Sequence, residues 1–335
     1  MNKMTKKERV LAAINKEKVD RIPFSIWFHM PEVDQDAVAL AEKTIEYAHL
    51  YDVDFIKMMP YGNYGAHDFG LSCTFYCTET QPVFERKFAI NSVEEWNELE
   101  AVPGYFGEHG KTLQFAKELQ KQLKGEEIPY VQTIFSPLTT AKKLAGMRIF
   151  DDLRSNPEYV HHALEEITKT TIDFVKANKK YGVAGFFFAS QCSSTDFMTE
   201  EEYKEFGTKY DLQVLEACNE DTYFNIVHIH GDNTMFELLA DYPVQCINWH
   251  DRWTVPSMEE ARKITDKCLL GGINEKWLTT AEAHEVKEHL REVIREAGPR
   301  GMMLTPGCVA ALETPKVNFY AARTAVEGLF EEFDK

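Results

Sequence analysis

Short apolar runs alternate along most of this chain with longer segments whose apolar residues recur every three to four positions. The first pattern suits a strand buried on both faces, and the second gives a helix one apolar stripe. The runs 22–28, 53–58, 130–135, 183–189, 223–230, 245–249, 268–271 and 301–304 read as strands, with Pro23 opening the first. Helices are expected near 36–51, 109–123, 138–146, 157–181, 233–240 and 281–297. Four more starts carry a capping box, in which a Ser or Thr hydroxyl and a Glu three residues on satisfy the first free N–H groups. These pair Thr5 with Glu8, Ser92 with Glu95, Thr199 with Glu202 and Ser257 with Glu260. Thr314-Pro315 opens the closing helix, because the first turn does not need the N–H that proline lacks. Residues 60–85 break the rhythm with mixed glycine, aromatic and polar positions, so loops and short strands are expected there.

Eight strands alternating with helices over 335 residues, with no low-complexity linker, predict a single-domain α/β protein, a (β/α)8 TIM barrel spanning 1–335. An open doubly wound sheet would normally show a glycine-rich phosphate loop, and neither G-x-G-x-x-G nor G-x-x-x-x-G-K-[ST] occurs. With 37 basic and 54 acidic residues the net charge is −17, which argues against nucleic acid and anionic membranes as partners. No basic cluster stands out in the sequence to invite a highly anionic substrate. Seven cysteines, an odd number scattered from 73 to 308, do not make a disulfide framework. The N-terminus runs into a charged helix without an apolar signal core, and no stretch approaches the roughly 20 apolar residues that cross a bilayer. A cytoplasmic protein with reduced thiols is expected.

In such a barrel, functional groups gather where strands end. His29 follows the first strand, Gln191-Cys192-Ser193 the fourth, and residues 248–251 the sixth. Asn274 and Glu275 follow the seventh, and Cys308 the eighth. His228-Ile229-His230 closes the fifth strand. Alternation turns Val227 and Ile229 to the helices and both histidines to the mouth. Two imidazoles so placed can grip one metal, with Cys308 as a third ligand and a fourth position open, as catalytic zinc requires. The same pair can instead line a pocket as hydrogen-bonding histidines. Cys308 can equally be a small buried hydrophobe, the reading taken for the other cysteines except Cys192. His250 with Asp251 offers an acid–base group and an orienting carboxylate, or else a salt-bridged loop. His29, Gln191 and Asn248 are expected to bind substrate, with His29 also open to a ligand or structural role. His67-Asp68 lies in the irregular segment, and His161, His162 and His284 fall in helices as packing or surface residues.

Several motifs together resemble the uroporphyrinogen decarboxylase family over about residues 5–330. They are Asp20-Arg21-Ile22-Pro23, Phe135-Ser136-Pro137-Leu138-Thr139, His228-x-His230-Gly231-Asp232, Pro306-Gly307-Cys308 and Glu313-Thr314-Pro315. The resemblance implies one of two chemistries on the same barrel: cofactor-free decarboxylation of uroporphyrinogen, or zinc-dependent methyl transfer between a corrinoid and a thiol such as coenzyme M. The decarboxylases carry an arginine-bearing segment after the first strand. Here it reads Trp27-Phe28-His29-Met30-Pro31, without arginine. Their Asp after the second strand is replaced near Pro60-Tyr61, and their last-strand Gly-His-Gly reads Gly307-Cys308-Val309. The methyltransferase branch is closer. Its zinc ligands, a His-x-Cys and a late Cys, fall on His228, His230 and Cys308, with His230 where Cys is usual. An imidazole in place of a thiolate leaves the metal more positive by one charge and a stronger Lewis acid. Zinc is the implied cofactor and a corrinoid on a partner protein the implied methyl donor. A small-molecule thiol would be the acceptor, and the chain would form a homodimer. The alternatives are a metal-free decarboxylase of uroporphyrinogen or another carboxylated tetrapyrrole, and a barrel that only binds a tetrapyrrole or corrinoid.

Overall fold

The seam of the sheet decides where the ends of its strands converge. In a computed structural model, which describes residues 3–74 and 85–334, the strands run in chain order β1 (Ile56–Lys57), β2 (Ser72–Thr74), β3 (Glu85–Lys87), β4 (Tyr130–Phe135), β5 (Gly185–Ser190), β6 (Ile226–Ile229), β7 (Cys246–Trp249), β8 (Cys268–Ile273) and β9 (Met302–Pro306). Seven of them form one curled, all-parallel sheet in the order β1-β4-β5-β6-β7-β8-β9, while β2 and β3 pair antiparallel apart from it. Each parallel neighbour is reached through a helical crossover, as parallel pairing demands. Every residue of β5 is buried, four of its six being the apolar run Phe186-Phe187-Phe188-Ala189. That run explains why the strand shows no polar alternation in sequence.

The expected first strand, 22–28, is not a regular strand; it makes one isolated parallel bridge, Phe24 to Leu304. The backbone bonds there are Ser25 N to Leu304 O at 3.0 Å, Leu304 N to Pro23 O at 2.8 Å and, on the other side, Asp54 N to Phe24 O at 2.7 Å. The ladder stops because Pro23 has no N–H to give and the Ser25 hydroxyl, not a backbone group, takes the Phe55 carbonyl at 2.7 Å. The second expected strand shortens to β1, which bonds its parallel neighbour through Ile56 N to Pro129 O and Met58 N to Val131 O. The capping boxes form at Thr5, Thr199 and Ser257. Ser92 and Glu95 bond as well, at 3.1 Å, but they open only a short 3-10 turn, Glu94–Glu98. Within the irregular segment the β2–β3 pairing agrees with expectation, while residues 75–84, Cys77 among them, lie outside the described residues.

Below the sheet, fully buried Asp54 accepts from Arg9 at 2.6 Å, from the Phe24 N–H at 2.8 Å and from Arg21. Arg9 also holds Asp20 at 2.6 Å. Asp52 takes Lys6 of the first helix (Lys6–Ile14) at 2.7 Å and Arg323 of the late helix Lys316–Ala325. Asp20 and Arg21 therefore serve the seam rather than the chemistry. Among the described residues no helix is long and apolar enough to cross a membrane.

Candidate metal centre

At the strands' C-terminal ends, ligand atoms of His228, His250 and Cys308 all lie within 4.8 Å of one another. His228 stands inside β6, His250 is the first residue past β7, and Cys308 follows β9 by two. Gly307 allows the last approach: a Cβ there would sit 2.8 Å from the Trp249 carbonyl oxygen and 3.1 Å from the His250 Cα. Only a residue without a side chain lets this turn come down onto β7.

Each imidazole is aimed by a partner behind it. Asn248, level with His228 on the neighbouring strand, donates both amide hydrogens, to Leu270 O at 3.0 Å and Pro306 O at 3.1 Å. Its Oδ1 is thus left to accept from His228 Nδ1 at 2.6 Å, which keeps the lone pair on Nε2. Glu275 meets His250 Nδ1 at 3.1 Å and Trp253 Nε1 at 2.9 Å. Burial alone would raise the Glu275 carboxyl, but these bonds hold it below its ordinary range. His250 Nε2 is buried with no hydrogen-bond partner. An orphaned imidazole nitrogen beside a thiol and a second aimed imidazole is the donor set a zinc ion takes. Burial and the neighbouring imidazoles push His228 well below its usual pKa, so it stands neutral, as a ligand must. Burial raises the Cys308 thiol to about 11, keeping it protonated unless a cation lowers it.

His228 and Cys308 form one wall of a cavity of about 110 Å³. Trp27, Phe187, His29, Gln191, Lys57 and Lys143 also line it, and among the described residues no carboxylate does. Lys57 is 3% exposed; its Nζ donates to Met59 Sδ at 2.7 Å and lies 4.4 Å from the centre of the Phe187 ring. Burial pulls its ammonium down to about 7. Burial, then the two lysines, lowers His29 to about 4, and its Nδ1 has no partner.

The expected trio of His228, His230 and Cys308 is thus rearranged. His230 lies one residue beyond β6, outside the mutually close group. Its ring is 6.0 Å from that of His228 and 4.9 Å from that of His250. The alternation that set it beside His228 holds only while the strand continues, and β6 ends at Ile229. Asn248, expected to bind substrate, is committed to His228 and two carbonyls. Asp251, expected to orient His250, turns instead to the Gly272 N–H at 3.0 Å, and burial raises it to about 7. His29 and Gln191 do face the cavity. Cys192 is buried against Leu138 O at 3.7 Å, and Asp68 caps the helix Gly107–Gln122 while pairing with His109 at 2.7 Å. Sequence reasoning missed Lys57 and Lys143. The one visible signal was a lysine inside the apolar run 53–58.

A parallel sheet curled so that three strand ends converge on two histidines and a cysteine defines an α/β enzyme scaffold whose rim carries side chains that could hold a metal ion. The chain belongs to the uroporphyrinogen decarboxylase (URO-D) family, whose model matches residues 5–329. Among its relatives is the methylcobamide:CoM methyltransferase of Methanosarcina acetivorans, 23% identical over 95% of this chain and 96% of that one. A methyltransferase from Methanosarcina mazei has the same fold, with a TM-score of 0.84 at 18% identity, covering 99% of this chain and 100% of that one. A B12-independent methionine synthase from Shewanella sp. W3-18-1 shares it less closely, with a TM-score of 0.61 at 15% identity over 92% and 93% of the two chains.

Proposed function

We propose that this protein is a zinc-dependent methyltransferase that moves a methyl group between a corrinoid, carried on a separate protein, and a small thiol. The observation that carries it is the close group of buried His228, buried His250 and half-buried Cys308, with its orphaned imidazole nitrogen. The methylcobamide:CoM methyltransferases among the relatives support the same direction. We take the sheet as a (β/α)8 barrel closed through Phe24, which puts all these strand ends on one rim.

His228, His250 and Cys308 would hold the zinc, replacing the trio expected from sequence. A bound zinc supplies the charge that makes a thiol acidic at neutral pH. Asn248 and Glu275 fix both imidazoles so that little reorganisation is left for binding. Trp27 and Phe187 wall the cavity and keep water from the sulfur, while Gln191 and His29 orient the rest of the acceptor. A cavity of about 110 Å³ suits an acceptor of a few heavy atoms, far from the several hundred Å³ of a larger ligand's pocket, and it disfavours a tetrapyrrole substrate.

Elemental analysis after zinc supplementation tests the site. About one equivalent per chain is expected, lost in His250→Ala and Cys308→Ala and kept in His230→Ala. Loss in His230→Ala with retention in His250→Ala would restore the trio read from the sequence. Less than a tenth of an equivalent in the wild type would end the metal reading. Thiol-dependent bleaching of the methyl–cobalt band of methylcobalamin tests the transfer, and carbon dioxide release from uroporphyrinogen by chelated protein would favour the decarboxylase instead.

A further inference from the structure

Away from the histidines, a second group of oxygen-bearing side chains converges where the reaction proposed above does not use them. The turn after His29 closes through Asp34 N to Met30 O at 2.9 Å and Asp36 N to Val33 O at 2.9 Å. Asp34 on this turn is 5% exposed. Its Oδ1 accepts from Gln35 Nε2 at 2.9 Å, while its Oδ2 is buried with no hydrogen-bond partner among the described residues. Asp34, Tyr61, Glu108 and Thr112 line a cavity of about 10 Å³, just enough for one guest the size of a water. They come from three separate places: the turn, the segment after β1 and the helix Gly107–Gln122. Lys111 also lines the space, but its ammonium is held by Glu108 at 2.7 Å and by Gln35 Oε1 at 3.1 Å. Its charge therefore reaches Asp34 through the Gln35 amide. Glu32 and Glu108 add negative charge around Asp34, and burial raises its carboxyl to about 6 despite Gln35 and Lys111. A buried carboxylate with one oxygen unmet is costly to keep, and either a proton or a cation relieves it.

We propose that Asp34 and Glu108, with the hydroxyls of Tyr61 and Thr112, form a second cation site, one for a hard ion of the calcium type. The donors are all oxygen, which hard cations prefer, whereas zinc is drawn to the nitrogen and sulfur of His228, His250 and Cys308. Two carboxylates that can each bind through both oxygens, plus two hydroxyls, approach the roughly six to eight oxygens that calcium takes. Calcium tolerates donors set at irregular angles. Magnesium demands a strict octahedron and keeps several waters, for which this space has no room. The entering ion takes over Glu108 and releases Lys111, which is already 28% exposed, to solvent. It also ties the turn after His29 to the helix Gly107–Gln122 and to the segment of Pro60 and Tyr61. Pro60 and His29 both line the cavity beside the metal centre, so the ion braces one wall of it.

Calorimetric titration with calcium chloride, on protein with and without added zinc, tests the site apart from any methyl transfer. One equivalent is expected to bind in either case, with a Kd of roughly 0.1–1 mM, as in weak calcium modules. Asp34→Asn keeps the size of the side chain and an acceptor for Gln35 but removes the charge, and should weaken calcium at least about tenfold. Lys111→Met removes the competing ammonium and should tighten it about threefold or more. Glu237→Gln neutralises an exposed carboxylate on the helix Phe236–Ala240 and should change nothing, which separates a site from the general pull of an acidic surface. No saturable calcium binding, or equal losses in Asp34→Asn and Glu237→Gln, would overturn the proposal and leave Asp34 a protonated carboxyl beside at most a water. A second arm uses terbium in place of calcium, with its emission excited through tyrosine. Emission that calcium quenches by displacement and that Tyr61→Phe dims supports the site, and emission that Tyr61→Phe leaves unchanged would overturn it. Should Asp34→Asn fail to fold, wild type and Tyr61→Phe in the terbium arm still decide.

Discussion

Replacing Glu275 by Gln keeps the shape and one acceptor oxygen behind His250 but removes the charge. The wild-type carboxylate meets His250 Nδ1 at 3.1 Å and Trp253 Nε1 at 2.9 Å in a buried setting. A hydrogen bond to a charged group contributes about 1.5–3 kcal/mol and a neutral one about 0.5–1.5, so neutralisation should cost roughly 1–1.5 kcal/mol at the imidazole. Each 1.4 kcal/mol is about tenfold in a binding constant, so zinc affinity should fall about tenfold. That lies at the lower end of the 10–100-fold range typical when a ligand's supporting partner is lost. Competition against a chromophoric zinc chelator measures it, with thermal melting of the metal-free proteins as a control for folding. Asp251→Asn is the matched comparison, because Asp251 faces the Gly272 N–H and should leave zinc affinity within about twofold. A Glu275→Gln protein that binds zinc as tightly as wild type, or an Asp251→Asn protein that loses as much, would refute the assignment of Glu275 as the group that aims His250.

Three more outcomes are expected. Asn248→Ala strands the His228 Nδ1–H and two buried carbonyls, so it should cost roughly 2–4 kcal/mol of stability in chemical denaturation besides weakening zinc; a loss below about 0.5 kcal/mol would contradict the bonding described. Gly307→Ala places a methyl group 2.8 Å from the Trp249 carbonyl oxygen, and zinc content should drop well below half an equivalent while the far-UV spectrum is retained; full occupancy would show that the turn has room to spare. Burial raises Asp211 from 3.8 to about 7 although Tyr203 and Tyr242 both donate to it. A carboxyl with a folded pKa above its unfolded one favours folding while protonated, and that stability is lost as pH rises from about 4 through about 7. Asp211→Asn should therefore flatten the stability profile between pH 5 and 8, and parallel curves for the two proteins would contradict the shift.

Seven of the eight expected strands were legible because parallel strands between helices are short apolar runs, and a run such as 185–190 admits no other environment. The first was not. Ile22 to Phe28 is apolar enough for a strand, but backbone bonding is a matter of partners, and Pro23 and Ser25 leave only a bridge. His228 and Cys308, both expected at strand ends, do come close together, and that His250 rather than His230 lies nearest them was not readable. That choice depends on β6 and β7 ending one residue short of each histidine, a boundary finer than apolar patterning can fix. Glu275 stood out only as a polar residue after a strand, since its partner His250 lies 25 positions away. Lys57 was hidden by its neighbours: within a run of apolar residues a single lysine reads as an exposed interruption, and only the curl of the sheet turns it inward.

The clasp beneath the sheet also bears on how the chain reaches this form. Asp52 is bonded by Lys6 near the start and by Arg323 at a separation of 271 positions. Phe24 likewise finds its partner only at Leu304. A nascent chain therefore lacks the Phe24 bridge until Leu304 is made and the last of the Asp52 ion pairs until Arg323 is made. Contacts this distant make closure slow compared with the local helices. An exposed strand edge is what chaperones and neighbouring copies bind first. Expression yield should depend on how fast the final thirty-odd residues arrive, and removing the closing helix should give an aggregating protein rather than a smaller, weaker enzyme.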